Sequence, residues 1–208
     1  MTTILVTGFG MFPGAPYNPT TPLVKRLACL RRPALANVKV VAHVFPTSYA
    51  AVDRELPRLI ASHKPDVLLM FGLAGRTPTL RIETRARNAL ALMPDVAGAT
   101  PRGRSIAIGL PAQVLPAPTR HLLRAARAAR VPVVLSRDAG QYLCNYLCWH
   151  AARSARAAGV PRLAAFVHVP PTRRHARPLG KGKRRLTLAD LTRAGSRLLV
   201  ALAAAARR

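Results

Sequence analysis

Short apolar and β-branched runs alternate with longer runs rich in alanine and leucine along this chain. That alternation predicts a largely parallel sheet covered by helices. Ile4–Thr7 predicts the first strand and Pro22–Leu30 the first helix. Val38–Phe45 alternates as a strand does. Tyr49–His63 carries apolar residues at helical spacing, with Ser48 placed to cap it. Val67–Phe71 is short and continuously apolar, as a strand buried on both faces must be. Thr119–Ala129 predicts a helix, Val131–Leu135 a strand, and Tyr142–Ala158 a helix closed by Gly159. Leu163–His168 predicts the last strand. The final helix is expected over about 186–206, with Thr187 at its start and Arg207 and Arg208 at its negative end. Two stretches read as irregular: Met93–Arg104, and a basic loop at about 170–185. The whole span, 1–208, is expected to form one domain.

The predicted strands end in loop-forming residues. They run into Gly8-Phe9-Gly10-Met11-Phe12, Gly72-Leu73-Ala74-Gly75-Arg76, Ser136-Arg137-Asp138-Ala139-Gly140 and His168-Val169-Pro170. Parallel sheets carry their ligand-binding groups beyond the carboxyl ends of the strands, so these four loops are expected to meet on one rim.

Composition narrows the function. No apolar run approaches the roughly 20 residues of a spanning helix, so no membrane contact is expected. The opening MTTILVTGFG lacks a basic leader pattern, and a cytoplasmic location is expected. Cys29, Cys144 and Cys148 form no CxxC pair, which argues against a disulfide framework. Cys144 and Cys148 share a helix face, but His150 lies well round from it, so no metal site is expected. The formal net charge is +26. Its arginines are scattered among alanines, except from Pro171 to Arg208, where eleven Lys/Arg face one acid. No aromatic side chains are interleaved there to stack bases, so a solvated basic surface is expected rather than a specific nucleic-acid site. Gly8-Phe9-Gly10 matches no phosphate-loop pattern, which argues against a nucleotide site.

Cys144 falls just inside a predicted helix start, where partial positive charge and unpaired N–H groups favour a thiolate. The alternative is a buried structural cysteine. A thiol nucleophile needs a base, and His168 is the histidine that ends a strand on the expected rim. Glu83 sits among Arg81, Arg85 and Arg87, either to orient a histidine or to neutralise those cations. Asp138 is a rival for the orienting role, although Asp-Ala-Gly also reads as a turn. Phe9 and Phe12 are placed to form an apolar slot for a small ring.

These residues together resemble the pyroglutamyl peptidase I family, also called pyrrolidone-carboxylate peptidases. The resemblance rests on Thr7-Gly8-Phe9-Gly10 with Phe12 and Asn18-Pro19, on Asp138-Ala139-Gly140 with Tyr142-Leu143-Cys144-Asn145, on Phe166-Val167-His168-Val169-Pro170, and on Glu83 five residues before Asn88. It implies a three-layer α/β/α fold with a twisted, mostly parallel sheet. It implies a Cys144–His168–Glu83 triad that removes N-terminal pyroglutamyl residues from small peptides through a thioester, without cofactor or metal, in a homotetramer. Phe9, Phe12, Asn18, Leu73, Met93, Tyr142 and Leu143 are implied as the substrate wall. The chain departs from the family where the usual Pro-Phe-Gly-Gly is Met11-Phe12-Pro13-Gly14 and the usual Gly-Gly-Arg is Gly75-Arg76-Thr77. The usual Glu-Arg is Glu83-Thr84, and the usual Arg-Ile-Pro-Asp is Leu92-Met93-Pro94-Asp95. The alternatives are a Cys-His-Glu hydrolase of another small amide or acyl group, and a non-enzymatic basic binding protein on the same scaffold.

Overall fold

The computed structural model describes residues 1–12, 16–172 and 185–208. Most of the expected basic loop lies outside the described residues. The chain builds β1 (Thr2–Phe9), α1 (Thr20–Ala28), β2 (Val38–Phe45), α2 (Tyr49–His63) and β3 (Val67–Leu73). It continues through β4 (Leu80–Glu83), β5 (Arg85–Ala86), β6 (Gln113–Val114) and α3 (Thr119–Arg127). It closes with β7 (Val133–Ser136), α4 (Leu143–Ala158), β8 (Leu163–Val169) and α5 (Leu188–Ala206). Six strands form one sheet in the order β2-β1-β3-β8-β4-β7, and β5 and β6 make a small separate ribbon.

Side chains along a strand point alternately to its two faces. Ile4, Val6, Val67, Leu69, Phe71, Ala165, Val167, Leu80 and Ile82 therefore enter one core, where Leu23 of α1, Leu122 of α3 and Leu198 of α5 meet them. Leu5, Leu68, Met70, Ala164 and Phe166 enter the other, against Val52 and Leu56 of α2 and Leu147 and Trp149 of α4. Burying one such side chain contributes about 1.5–3 kcal/mol, so each face is strongly fixed. The same parity carries Gly72, Arg81, Glu83 and His168 to the face that α4 covers.

Several sequence expectations are corrected. The first helix begins at Thr20 rather than Pro22, because the Asn18 side chain accepts from the Thr20 N–H at 3.1 Å and starts the helix early. Pro22 then sits in the first turn, where its missing N–H costs nothing. Ser48 precedes α2 but gives it no side-chain cap. The Asp95 carboxylate, from the distant Met93–Arg104 stretch, accepts from the Tyr49 N–H at 3.0 Å instead. Burial opposes the charge of Asp95, but hydrogen bonds from Ser48 and from the backbone of Tyr49, Ala99 and Ala97 hold its carboxyl below the usual range. Tyr142 and Thr187 stand just before their helices rather than inside them.

The larger correction concerns direction. β4 pairs antiparallel with β8 and parallel with β7, so β7 runs opposite to β1, β3 and β8. The loop leaving β7 therefore departs in the opposite sense from the other three, and the expected four-loop rim has three strand ends. α4 supplies the fourth side, because it runs back towards β8 and brings its own N-terminus to that rim. Among the described residues, no helix is long and apolar enough to cross a membrane.

α5 is held at its start by a reciprocal cap. The Asp190 N–H donates to Thr187 Oγ1 at 3.1 Å, and the Thr187 N–H donates to Asp190 Oδ2 at 2.9 Å. Thr187→Ala is expected to cost about 1 kcal/mol in urea unfolding while leaving the alkylation rate of Cys144 unchanged, because this cap lies on the face away from α4.

Candidate functional site

The turn before α4 aims the cysteine. The Asp138 carboxylate accepts from the Gly140 N–H at 3.0 Å. Gly140 has φ +84°, a conformation that favours glycine. Ala139 and Leu143 are buried and seat the turn on the core. Asn145, fully buried, donates to the carbonyls of Arg87 and Ala89 at 2.8 and 2.9 Å, and accepts from the Arg87 N–H at 2.8 Å. Cys144 is thus fixed between two anchored neighbours, in the first turn of a helix that has no side-chain cap. Its turn leaves N–H groups without intrahelical partners, directed at whatever lies beyond the helix end.

The sulfur rests directly on the sheet. A β-carbon on Gly72 would lie 2.7 Å from Cys144 Sγ and 2.6 Å from Phe166 Cζ, so only glycine admits the thiol here. Gly72 is in register with His168 on the neighbouring strand, and His168 is 6% exposed. Its Nδ1 lies 2.8 Å from Glu83 Oε1. The carboxylate accepts from Nδ1–H, which leaves Nε2 for the thiol. The Phe166 ring stands edge-on to the imidazole, with centroids 4.9 Å apart. Burial disfavours charge on His168, but the Cys144 sulfur and then the Glu83 carboxylate outweigh it and push its pKa up to about 9.

Glu83 is completely buried, and beyond His168 it has an ion pair with Arg81 at 3.3 Å from Nε to Oε1. The sequence left Glu83 open between orienting a histidine and neutralising cations, and it has contacts of both kinds. Asp138 does not take the orienting place: its carboxylate binds Gly140 and Arg87, the latter at 3.1 Å. Cys148, one turn deeper, is fully buried, and burial followed by the charges of Cys144 and Glu83 pushes its thiol well up. That keeps it protonated and unreactive.

The residues expected on the substrate wall differ in exposure. Phe9 is 3% exposed and packs on Phe45 with centroids 6.0 Å apart. Asn18 is buried with its amide turned inward, donating to the Gly10 carbonyl at 2.8 Å and accepting from Thr20. It shapes the loop after β1. Leu143 is 1% exposed, so its side chain belongs to the core. Phe12, Leu73 and Tyr142 are half-buried, and Met93 is exposed. The Tyr142 hydroxyl donates to the Pro94 carbonyl at 3.0 Å, and the Ala91 N–H donates to the Gln141 carbonyl at 2.7 Å. These bonds hold the Ala91–Asp95 segment, with exposed Leu92 and Met93, beside the start of α4. Sequence reasoning assigned no role of their own to Gly72 and Asn145, and took Arg81 only as one of three cations that Glu83 could neutralise. Arg81 was detectable by its i, i+2 spacing from Glu83, which sets both on one strand face.

A thiol on an uncapped helix start, a buried imidazole and a buried carboxylate, joined in that order over an α/β sheet, define a cysteine hydrolase. The family model for pyroglutamyl peptidase matches residues 2–194, and the chain belongs to that family. It is 34% identical over 169 residues to a pyrrolidone-carboxylate peptidase of Thermococcus onnurineus, covering 80% of this chain and 82% of that one. It is 34% identical over 175 residues to one of Deinococcus radiodurans, covering 82% and 78%. The solved pyrrolidone carboxyl peptidase of Thermococcus litoralis superposes with TM-score 0.88 at 30% identity, over 97% of this chain and 94% of that one. Pyroglutamyl peptidase I of Bacillus amyloliquefaciens superposes with TM-score 0.85 at 27% identity, over 98% of each. The protein is a cysteine peptidase of the pyroglutamyl peptidase I type, and its mostly parallel, helix-flanked sheet is the fold of those structures.

Gly72→Ala tests the seat of the thiol. Displacing the sulfur takes it away from the base that accepts its proton, so the rate of Cys144 alkylation by iodoacetamide is expected to fall by about tenfold. Exposed Cys29 is expected to react as before. An unchanged Cys144 rate means that the sulfur does not rest on Gly72.

Proposed function

We propose that the protein removes an N-terminal pyroglutamyl residue from peptides through a thioester at Cys144, with His168 moving the proton and Glu83 orienting His168. The observation that carries this reading is the His168–Glu83 contact at 2.8 Å, with Cys144 on the other side of the imidazole. The names of the relatives supply the substrate.

The Cys144 thiolate attacks the pyroglutamyl carbonyl carbon, whose oxygen takes the electron pair. N–H groups at the start of α4, the Cys144 N–H among them, face that oxyanion. Collapse breaks the C–N bond, and the leaving amine takes the proton from His168 Nε2. His168 is then neutral. It accepts a proton from water as the water oxygen attacks the thioester. Breaking the C–S bond frees pyroglutamic acid and regenerates the thiolate beside the imidazolium.

Phe12, Leu73, Met93 and Tyr142 form the wall for the lactam ring in this reading, while Phe9, Asn18 and Leu143 act from behind by fixing the backbone that carries it. Leu92-Met93 in place of the family's Arg-Ile makes that wall apolar where the family carries a cation. Three free thiols suit a reducing compartment, and we place the enzyme in the cytoplasm.

Release of aminocoumarin from a pyroglutamyl-aminocoumarin substrate is the direct assay. Cys144→Ala is expected to abolish it, because the sulfur is the attacking atom; retained turnover rules the mechanism out. In the wild type, the proton given to the leaving amine is present below the pKa of His168 and is lost as pH rises through about 9. kcat/KM is therefore expected to fall above about that pH. A flat profile there removes His168 as the acid.

A further inference from the structure

Arg81 is built into the site more deeply than a surface cation. It lies on β4 in register with His168 and on the same face as Glu83. Its Nε is 3.3 Å from Glu83 Oε1, the oxygen that also binds His168. Its Nη2 donates to Ser136 Oγ at 2.6 Å and to the Asp138 carbonyl at 2.5 Å. One guanidinium thus bridges the carboxylate, the end of β7 and the turn that aims α4. A lysine, with one compact ammonium, cannot reproduce that fork.

The reaction demands something of Glu83 that His168 alone cannot provide. The carboxylate is fully buried, and a buried charge needs a partner. His168 is a cationic partner only while it is protonated. After it has protonated the leaving amine it is neutral, and in that state it must accept a proton from water. A carboxylate with no other cation would hold the histidine's proton too tightly for this alternation.

We propose that Arg81 is a positioning residue for the His168–Glu83 pair: a permanent counter-charge, clamped to the turn before α4, that lets His168 give up its proton between the two halves of the reaction. This rests on the triad reading above. Among the described residues, the charged and titratable groups around the pair are Cys144 and Cys148 from α4, Arg81 from β4, and, in the turn that Arg81 binds, Asp138, whose carboxylate is engaged by Arg87. β3 contributes Gly72, which has no charge. Among the described residues, Arg81 is the fixed cation paired with Glu83 itself, and its removal has one sign: the pair binds its proton more tightly.

The test is the titration of His168 by NMR in histidine-labelled protein without substrate, its signal assigned by its loss in His168→Gln. Arg81→Met is expected to move the midpoint upward by roughly one pH unit, and Arg81→Lys by less. With the pyroglutamyl substrate, Arg81→Met is expected to lower kcat and KM together, because acyl-enzyme accumulates ahead of water attack, and kcat is expected to recover as pH is raised. A midpoint in Arg81→Met that coincides with the wild type overturns the proposal. If Arg81→Met does not fold, Ser136→Ala, which removes one anchor of the guanidinium, decides: an upward shift supports the role and a superimposable titration rejects it. Because the titration needs no substrate, failure of pyroglutamyl turnover and failure of this inference are read separately.

Discussion

The structure depends on one close approach: Cys144 Sγ rests on the backbone of Gly72, in space that any other residue's β-carbon would fill. That contact fixes the start of α4 against β3 and sets the thiol beside His168, because Gly72 and His168 are in register. Everything around it serves the seating. Asn145 ties the helix start to the Arg87–Ala89 backbone, Tyr142 ties it to Pro94, and Arg81 ties the preceding turn to Glu83. The thiol, imidazole and carboxylate come from three distant stretches of chain, yet strand parity alone delivers the last two to the face that α4 covers.

The scarcity of acids takes on meaning in this frame. The chain has seven carboxylate side chains, and each one has a placed partner. Asp53 accepts from the Tyr146 hydroxyl, Glu55 meets His43, and Asp66 accepts from the Thr3 N–H. Glu83 binds His168, Asp95 accepts from the Tyr49 N–H, Asp138 accepts from the Gly140 N–H, and Asp190 caps α5. The carboxylates that remain are those the architecture uses. At the site itself, two acidic groups, Cys144 and Glu83, stand against two basic ones, His168 and Arg81.

Much of this was legible in the sequence, and the exceptions have physical causes. The long strands and helices announce themselves by period, since each buries one or both faces. β4 did not, because Arg81 and Glu83 are two of its four residues and charged side chains mask a short alternation. With β4 unseen, the reversed direction of β7 was unseen too, and four strand ends were expected where three meet. Cys144 was readable from its helix start and His168 from its strand end. Glu83 was ambiguous because charge neutralisation and orientation call for the same carboxylate, and the structure gives it contacts of both kinds. Phe9, Asn18 and Leu143 were expected on the substrate wall through resemblance, and their side chains are buried. Sequence spacing cannot separate a residue that touches a ligand from one that holds the residue that does.

The central claim is that the Cys144 sulfur carries the acyl group. Acid quenching during turnover of a pyroglutamyl substrate, followed by peptide mass mapping, tests it directly. One added pyroglutamyl group is expected on the peptide that contains Cys144 and Cys148, absent in Cys144→Ala and retained in Cys148→Ala. Steady turnover with no adduct at any quench time, or an adduct that follows Cys148, contradicts it.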